Sequence, residues 1–138
     1  MAKSVHDNVL DAALNYIKTN ANRLSVLNAE PTGASAYANA TTAADSSGYR
    51  LATAIINASD FTGPANGTTS GRKITVNAQS SMSIDGVALT DSATHVALID
   101  LASSSGAVLY TTTCTSQVLT GGNKVNTPAW EIELKDPA

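Results

Sequence analysis

Charged residues and aromatic rings are both scarce in this sequence. Asp, Glu, Lys and Arg make up 14% of its 138 residues, against about 25% in a typical soluble domain. Phe, Trp and Tyr together make up 4%. Because aromatic side chains usually dominate the energetics of a core, we expect a thin core and modest stability for the isolated chain. Such a shortfall is commonly met by burying surface against copies of the chain or against a partner, so oligomerisation is expected.

Basic residues are few as well, and the formal net charge is −3. The eight Lys and Arg residues are scattered singly, apart from Arg72 and Lys73. A surface that grips phosphates needs clustered cations, so the sequence argues against nucleic acid as a partner. Low charge with many hydroxyl groups suits a surface that neighbours cover, because burying an unpaired ion is costly. An ordinary Thr-rich β-protein would have the same composition.

Cys114 is the single cysteine, so the chain cannot form an internal disulfide. The first residues lack the apolar core of a signal peptide, and no run approaches the ~20 apolar residues that cross a bilayer. We therefore expect a protein made in the cytoplasm that has no membrane partner.

The clearest local pattern predicts an amphipathic helix over residues 4–20. Ser4 followed by Asp7 resembles a capping box, and an Asn at position 20 or 22 suits the end of a helix. Apolar residues then recur at spacings of three and four, which is typical of one helix face. They are Val5, Val9, Leu10, Ala13, Leu14, Tyr16 and Ile17.

A short strand is predicted at Arg23–Leu27 and ends before Pro31. Residues 31–48 are mostly Ala, Ser, Thr and Gly, with almost nothing to bury. This composition favours an extended arm or a long surface loop over a packed element. The segment is either ordered by a partner or an ordinary disordered loop, and Tyr37 and Tyr49 are its expected anchors.

Beyond residue 49 turn signals recur at short intervals, as in proteins built from antiparallel strands. Residues 50–56 fit a strand or a helical turn equally well. Residues 94–101 are apolar on both faces, so we predict a central strand covered on both sides. Turns are predicted at residues 103–106 and 120–123, and the first of them joins residues 94–101 and 107–114 in a hairpin. The other predicted strands are residues 72–78, 81–86, 107–114 and 124–134, with Ile74, Val76 and Ala78, then Met82 and Ile84, then Trp130, Ile132 and Leu134 facing inward, and with Pro128 interrupting the last strand.

Together these segments predict a mainly β fold. Strands joined by short turns imply an antiparallel meander closed into a β-sandwich or small barrel, with one N-terminal amphipathic α-helix. The length predicts a single domain, residues 1–138. Within it we distinguish the helical region 1–22, a short strand and arm over 23–48, and a β body over 49–138.

No motif for catalysis or metal binding stands out. Residues 67–73 loosely resemble a phosphate-binding loop, but the glycine spacing is one residue short and a strand follows instead of a helix. His6, His95 and Cys114 lie on separate elements without the spacing of a metal site. Cys114 could meet His95 from a neighbouring strand, yet a Cys in a Thr-rich strand is usually a small apolar residue. We therefore predict a protein that is not an enzyme and has no catalytic residues, metal or cofactor.

A similarity to a known class of proteins runs along nearly the whole chain. The segments that carry it are residues 1–17, 60–61, 67–73, 94–98, 109–117 and 128–132. In these segments the sequence resembles small virion structural proteins of tailed bacteriophages, of the capsid decoration (cement) type. The matching residues belong to the scaffold of the fold and do not form a catalytic motif.

The resemblance implies a protein on the capsid exterior, assembled in the host cytoplasm, that stabilises the head shell. Its partners would be the major capsid protein and further copies of itself in a symmetric homo-oligomer, in the first place a trimer. Candidate interface residues are Val5, Val9, Leu10, Leu14, Tyr16, Ile17, Tyr37 and Tyr49. The alternative is a receptor- or glycan-binding module on a tail or head fibre, which would use the aromatic side chains Tyr37, Tyr49 and Trp130.

Overall fold

Antiparallel β-strands form most of the molecule in the computed structural model, which describes residues 3–102 and 106–137. Strands account for 48% of the residues and helices for 22%, so the predicted mainly β fold of sandwich or small-barrel character, with an N-terminal helix, is confirmed. The helices are α1, Asp7–Asn20, and α2, Ala36–Thr41. The strands are β1, Arg23–Leu27; β2, Arg50–Ile55; β3, Phe61–Asn66; β4, Arg72–Val76; β5, Gln79–Ser83; β6, Thr90–Asp100; β7, Ala107–Thr120; β8, Lys124–Thr127; and β9, Trp130–Leu134.

The strands within the described ranges assemble into sheets with the orders β2-β1-β6-β7, β3-β4-β9 and β5-β8. Chain neighbours pair in β1–β2, β3–β4 and the predicted hairpin β6–β7. The pairs β1–β6, β4–β9 and β5–β8 instead join segments that are distant in the chain. The prediction of a simple meander is therefore wrong, although every strand pair is antiparallel as expected.

Strand β6 lies at the centre of the largest sheet, between β1 and β7. Leu98 pairs with Leu24 on one side and with Tyr110 on the other. Residues 96–100 are all buried, which confirms the prediction of a strand covered on both faces. The turn predicted at residues 103–106 falls outside the described residues, apart from Gly106.

The main hydrophobic core draws on all three sheets and on α1. Its fully buried large side chains include Leu14 from α1, Leu24 from β1, Ile74 from β4, Leu98 from β6 and Ile132 from β9. The alternation predicted for Met82 and Ile84, and for Ile74 and Val76, is confirmed by their burial, whereas Ala78 is exposed. Trp130 and Leu134 pack at the margin of this core, as the inward pattern of the last strand predicts.

Helix α1 begins three residues later than the sequence predicts. Its N-cap is His6, whose ring Nδ1 accepts a hydrogen bond from the backbone N–H of Asn8 at 3.2 Å. Ser4 therefore does not cap the helix. At the other end, Asn20 is the last helical residue, and Ala21 continues as extended chain.

The prediction of an extended arm or surface loop over residues 31–48 is wrong. The segment contains α2 and two short 3-10 turns, and Ala40 is completely buried. Ala40 lies with Leu27, Ala97 and Ile99 in a second apolar cluster, on the face of the largest sheet that points away from the main core. From the sequence, the small side chains of this segment indicate that it has little to bury. In the structure, small side chains such as Ala40 allow the segment to pack close to the sheet. Tyr37 and Tyr49 pack against the same cluster.

Two further strand predictions need correction. Residues 124–134 are two strands, β8 and β9, in different sheets, because the chain leaves one ladder at Pro128 and enters another. Strand β3, which contains Gly63 and Pro64, was not expected from the sequence. The ambiguous segment after Tyr49 is strand β2, which pairs with β1.

Candidate functional site

Helix α1 has two apolar faces, and only one of them is covered. Leu10 and Leu14 are buried, and Ile17 packs against the main core. On the other face, Val9 is 61% exposed and Tyr16 is 60% exposed. Ala12 and Ala13 lie between them and are also exposed. We call Val9, Ala12, Ala13 and Tyr16 the α1 stripe; it is the apolar surface on this helix that the chain leaves open.

The α1 stripe sits on a firmly held helix. Arg72 at the start of β4 donates to Asp11, with Nε 2.7 Å from Oδ1, and its Nη1 is 3.9 Å from Asp7. The hydrogen bond to Asp11 raises the pKa of Arg72 above its usual value, against the opposing effect of desolvation. Lys18 Nζ donates to the carbonyl of Gly63 at 2.8 Å. These contacts join both ends of α1 to the β3–β4 hairpin.

The eight candidate interface residues do not form one surface. Leu10 and Leu14 are buried within the chain itself and are not available to a partner. Val5 and Ile17 are half-buried, so the α1 stripe retains only Val9 and Tyr16 of the predicted set. The spacing of three and four residues identified the apolar positions of α1. It could not distinguish the buried face from the exposed face, because both faces carry apolar residues.

Tyr37 and Tyr49 form a separate pair, half-buried against the second apolar cluster. The ring of Tyr37 lies directly over Gly106, where an added Cβ would come within 2.1 Å of the ring. Both tyrosines thus anchor residues 31–48 to their own chain.

Residues 67–71 form the loop of the β3–β4 hairpin, and Arg72 and Lys73 are the first residues of β4. The backbone N–H of Gly67 donates to the carbonyl of Gly71 at 2.9 Å. The two cations that follow the loop are engaged, Arg72 by Asp11 and Lys73 by Glu131 with an N–O distance of 2.8 Å. A phosphate-binding loop needs a helix N-terminus, and strand β4 follows this loop instead of a helix.

His6 is the N-cap of α1, whereas His95 and Cys114 lie on the neighbouring strands β6 and β7. His95 lies opposite Thr113 on β7, and its Nδ1 is 2.8 Å from the hydroxyl of Thr94. Partial desolvation raises the pKa of the Cys114 thiol, so the nucleophilic thiolate is disfavoured. Within residues 3–102 and 106–137, no group of three or more His, Cys, Asp or Glu side chains is placed to hold a metal ion.

A groove that was not foreseen from the sequence lies between strands β6 and β7 on one side and residues 125–131 on the other. It consists of two adjoining depressions of about 200 and 350 Å³. Both depressions are lined by Val96, Cys114, Thr115, Thr127 and Pro128. Thr127 and Trp130 both line the larger depression. Within the described residues, the buried Oγ1 of Thr127 and Nε1 of Trp130 have no hydrogen-bond partner. The sequence did not reveal this groove, because its lining comes from β6, from β7 and from residues 125–131, which the fold brings together.

Comparison with protein-family models, with curated proteins and with solved structures finds no match to this chain. Function is therefore argued from the surfaces of the molecule. Neither of the described helices is long and apolar enough to cross a membrane.

Proposed function

We propose that this protein is a capsid decoration (cement) protein of a tailed bacteriophage, which binds the outside of the head shell as a homo-oligomer. The observation that carries the proposal is the α1 stripe: an apolar face on a helix that ion pairs hold to β4, which the described residues leave exposed. The resemblance of the sequence to small virion proteins supplies the class of assembly. The major capsid protein is the proposed partner of the stripe.

The energetics of the α1 stripe suit attachment to a shell. Burying a Val-sized side chain contributes about 1.5–3 kcal/mol, and Val9 and Tyr16 are both more than half exposed. A contact of this size is weak for one chain. An oligomer that engages several capsid sites at once multiplies it through effective concentration. The low charge of the sequence favours the same use, because few ions would have to be desolvated on docking.

Charge placed on the α1 stripe tests the proposal. The double variant Val9→Asp, Tyr16→Asp puts two carboxylates into the proposed contact. The matched control Asn8→Asp, Asn15→Asp adds the same charge to exposed polar positions of the same helix. Deleting residues 1–22 is not a suitable test, because it would remove Leu14 from the core.

Binding is measured by sedimenting each purified variant with heads of the phage that carries the gene, after removal of the native protein. We expect the control to bind like the unaltered chain and the stripe variant to lose at least tenfold in affinity. A tenfold change corresponds to about 1.4 kcal/mol, the cost of losing one such side chain from the contact. A stripe variant that binds as well as the control would refute the role of α1.

A second candidate function is the binding of a receptor or glycan on a tail or head fibre. It is favoured by the larger depression of the groove, which Trp130, Glu131 and Thr113 line together. Aromatic and hydroxyl groups of this kind suit a sugar. The ring of Trp130 is, however, stacked on Tyr110 with a centroid distance of 5.9 Å, which leaves less of its face for a ligand. A glycan-array screen with the unaltered chain separates the two candidates.

A further inference from the structure

Strand β7 is a long edge strand with an open outer side. It has 14 residues and lies at the end of the sheet order β2-β1-β6-β7. Residues 113–118 are all exposed, and Val118 is 65% exposed. In the described part of the chain, β6 is the only strand that pairs with β7. The outward N–H and C=O groups along this stretch are therefore available to another strand.

The composition of β7 is unusual for an open edge. Natural proteins protect exposed edges with charged side chains, proline or covering segments, because an open edge is a template for pairing. No Asp, Glu, Lys, Arg or Pro occurs between Ala107 and Thr120. The strand is instead rich in Thr, which has a high preference for strands.

In the described residues, the other edges of the two larger sheets are protected or covered, and the third sheet consists only of the short strands β5 and β8. On β2, Ala52 forms a bridge to Ile84, and the carbonyl of Leu51 accepts a hydrogen bond from Gly86. Strand β3 contains Pro64, which cannot donate to a ladder. Strand β9 carries Glu131 and Glu133. This leaves β7 as the edge in the described residues that is both long and unprotected.

A second copy of the same strand is the partner that fits this edge best. In an antiparallel pair around a two-fold axis, each residue faces a residue of the same short segment. With the axis near Cys114, Thr113 would face Thr115 and Thr112 would face Ser116. Pairs of Thr and Ser across an antiparallel ladder are favourable, whereas like charges would be repelled. The absence of charge thus makes β7 complementary to itself.

We propose that β7 of one chain pairs antiparallel with β7 of a second copy, which joins the largest sheets of two molecules into one continuous sheet. The contact is isologous, so it generates a two-fold pair and not a ring of three. A head-to-tail ring through this edge would need a second open edge, and β2 is covered. The inference names the surface of self-association that the proposed function includes. Its test needs no capsid, so its failure is distinct from failure of the α1 attachment.

The experiment uses charge at the centre of the exposed stretch. Thr115→Lys and Thr115→Glu are made separately in the full chain with Cys114→Ser, so that no disulfide can imitate the contact. Thr115 is exposed, so neither variant should disturb the fold, which circular dichroism verifies. The matched control is Ser80→Lys, an exposed position on β5 in the same background.

Self-association is measured by sedimentation equilibrium over a range of concentrations. We expect the background chain and the Ser80→Lys control to form a dimer. The two Thr115 variants should each associate at least tenfold more weakly, because with the axis near Cys114 the two introduced like charges lie on the same face as diagonal neighbours, about 7–8 Å apart. Mixing Thr115→Lys with Thr115→Glu should restore the dimer as a mixed pair, a result that an interface elsewhere on the chain would not give.

Three results would overturn the inference. The first is a background chain that stays monomeric at about 1 mM, the weak end of specific association. The second is a Thr115→Lys variant that associates as strongly as the control. The third is a mixture of the two charged variants that associates no better than either variant alone. A trimer whose stability does not change with the residue at position 115 would overturn the inference in the same way.

Discussion

At the scale of single residues, Gly71 explains why residues 67–73 look like a ligand-binding loop without being one. Its φ is +71°, in the left-handed region, and an added Cβ would lie 2.0 Å from the backbone carbonyl oxygen of Leu134. Glycine is therefore required for the β3–β4 hairpin to pack beside the end of β9. The glycine content of this loop reflects close backbone approach, and no ligand is needed to account for it.

Replacing Gly71 by Ala should destabilise the fold by an amount that steric contact dominates. The matched control is Gly33→Ala, where φ is +68° and no atom lies within 4 Å of the added Cβ. The control should cost about 1–2 kcal/mol, the strain of a left-handed Ala. Gly71→Ala should cost clearly more, at or above the upper end of the usual range of about 0.5–3 kcal/mol for point substitutions.

Urea denaturation of the two glycine variants measures the difference in free energy of unfolding. Equal losses of unfolding free energy for Gly71→Ala and Gly33→Ala would mean that the backbone at Leu134 can move away from the added Cβ without a loss of stability. In that case the hairpin would be less tightly packed than described.

The inward and outward positions of single side chains were largely predictable where one face of a strand is buried. Ile74, Val76, Met82, Ile84 and Ile132 are all buried as the alternation predicts. The prediction failed on α1, because a period of three to four residues identifies apolar positions and not what covers them. Val9 and Leu10 look equivalent in the sequence, yet one is exposed and the other buried.

At the scale of elements, residues 31–48 show how a low content of large apolar residues can mislead. The segment contributes Ala40 to the second cluster and is tied to the sheet through its backbone. The N–H of Tyr49 donates to the carbonyl of Asn39 at 2.8 Å, and the N–H of Arg50 donates to that of Thr42 at 3.0 Å. Arg50 Nε also donates to the carbonyl of Thr41 at 3.0 Å. Backbone hydrogen bonds carry no side-chain signature, so the sequence could not reveal this packing.

These contacts predict that residues 31–48 are protected in the isolated chain. The amides of Thr42, Asp45 and Gly48 should exchange with solvent much more slowly than in an unstructured peptide, because each donates a backbone hydrogen bond. The exposed amides of Ala34 and Ser35 serve as the internal reference. Hydrogen exchange followed by NMR measures each amide separately. If all five amides exchanged at the rate of an unfolded chain, the prediction of an extended arm or surface loop over residues 31–48 would be right after all.

Strand existence was predicted better than strand pairing. The continuous apolar run of β6 identified the centre of the largest sheet, because only a strand covered on both faces needs such a run. The β6–β7 hairpin followed from proximity in the chain. The pairing of β1 with β6 joins Leu24 to Leu98, and no local signal encodes a partner so distant. The split between β8 and β9 was marked by Pro128, but its consequence, a change of sheet, depends on where β4 and β5 lie.

At the scale of the whole molecule, two open surfaces distinguish this chain from a self-contained domain. The α1 stripe is an apolar helix face, and β7 is a strand edge without protective charge. They lie on different elements of the fold. A protein that reinforces a shell needs such a division: one surface attaches to the shell, and the other joins one copy to the next. The low charge of the chain fits both contacts.

Under the proposed function the chain is part of a phage particle, and a cryo-microscopy reconstruction of that intact particle tests this account most directly. We predict density for the antiparallel β body on the outer surface of the head, with the exposed face of α1 against the major capsid protein. Finding the chain only in the tail or a fibre, or finding it on the head with the α1 stripe facing solvent, would contradict the account.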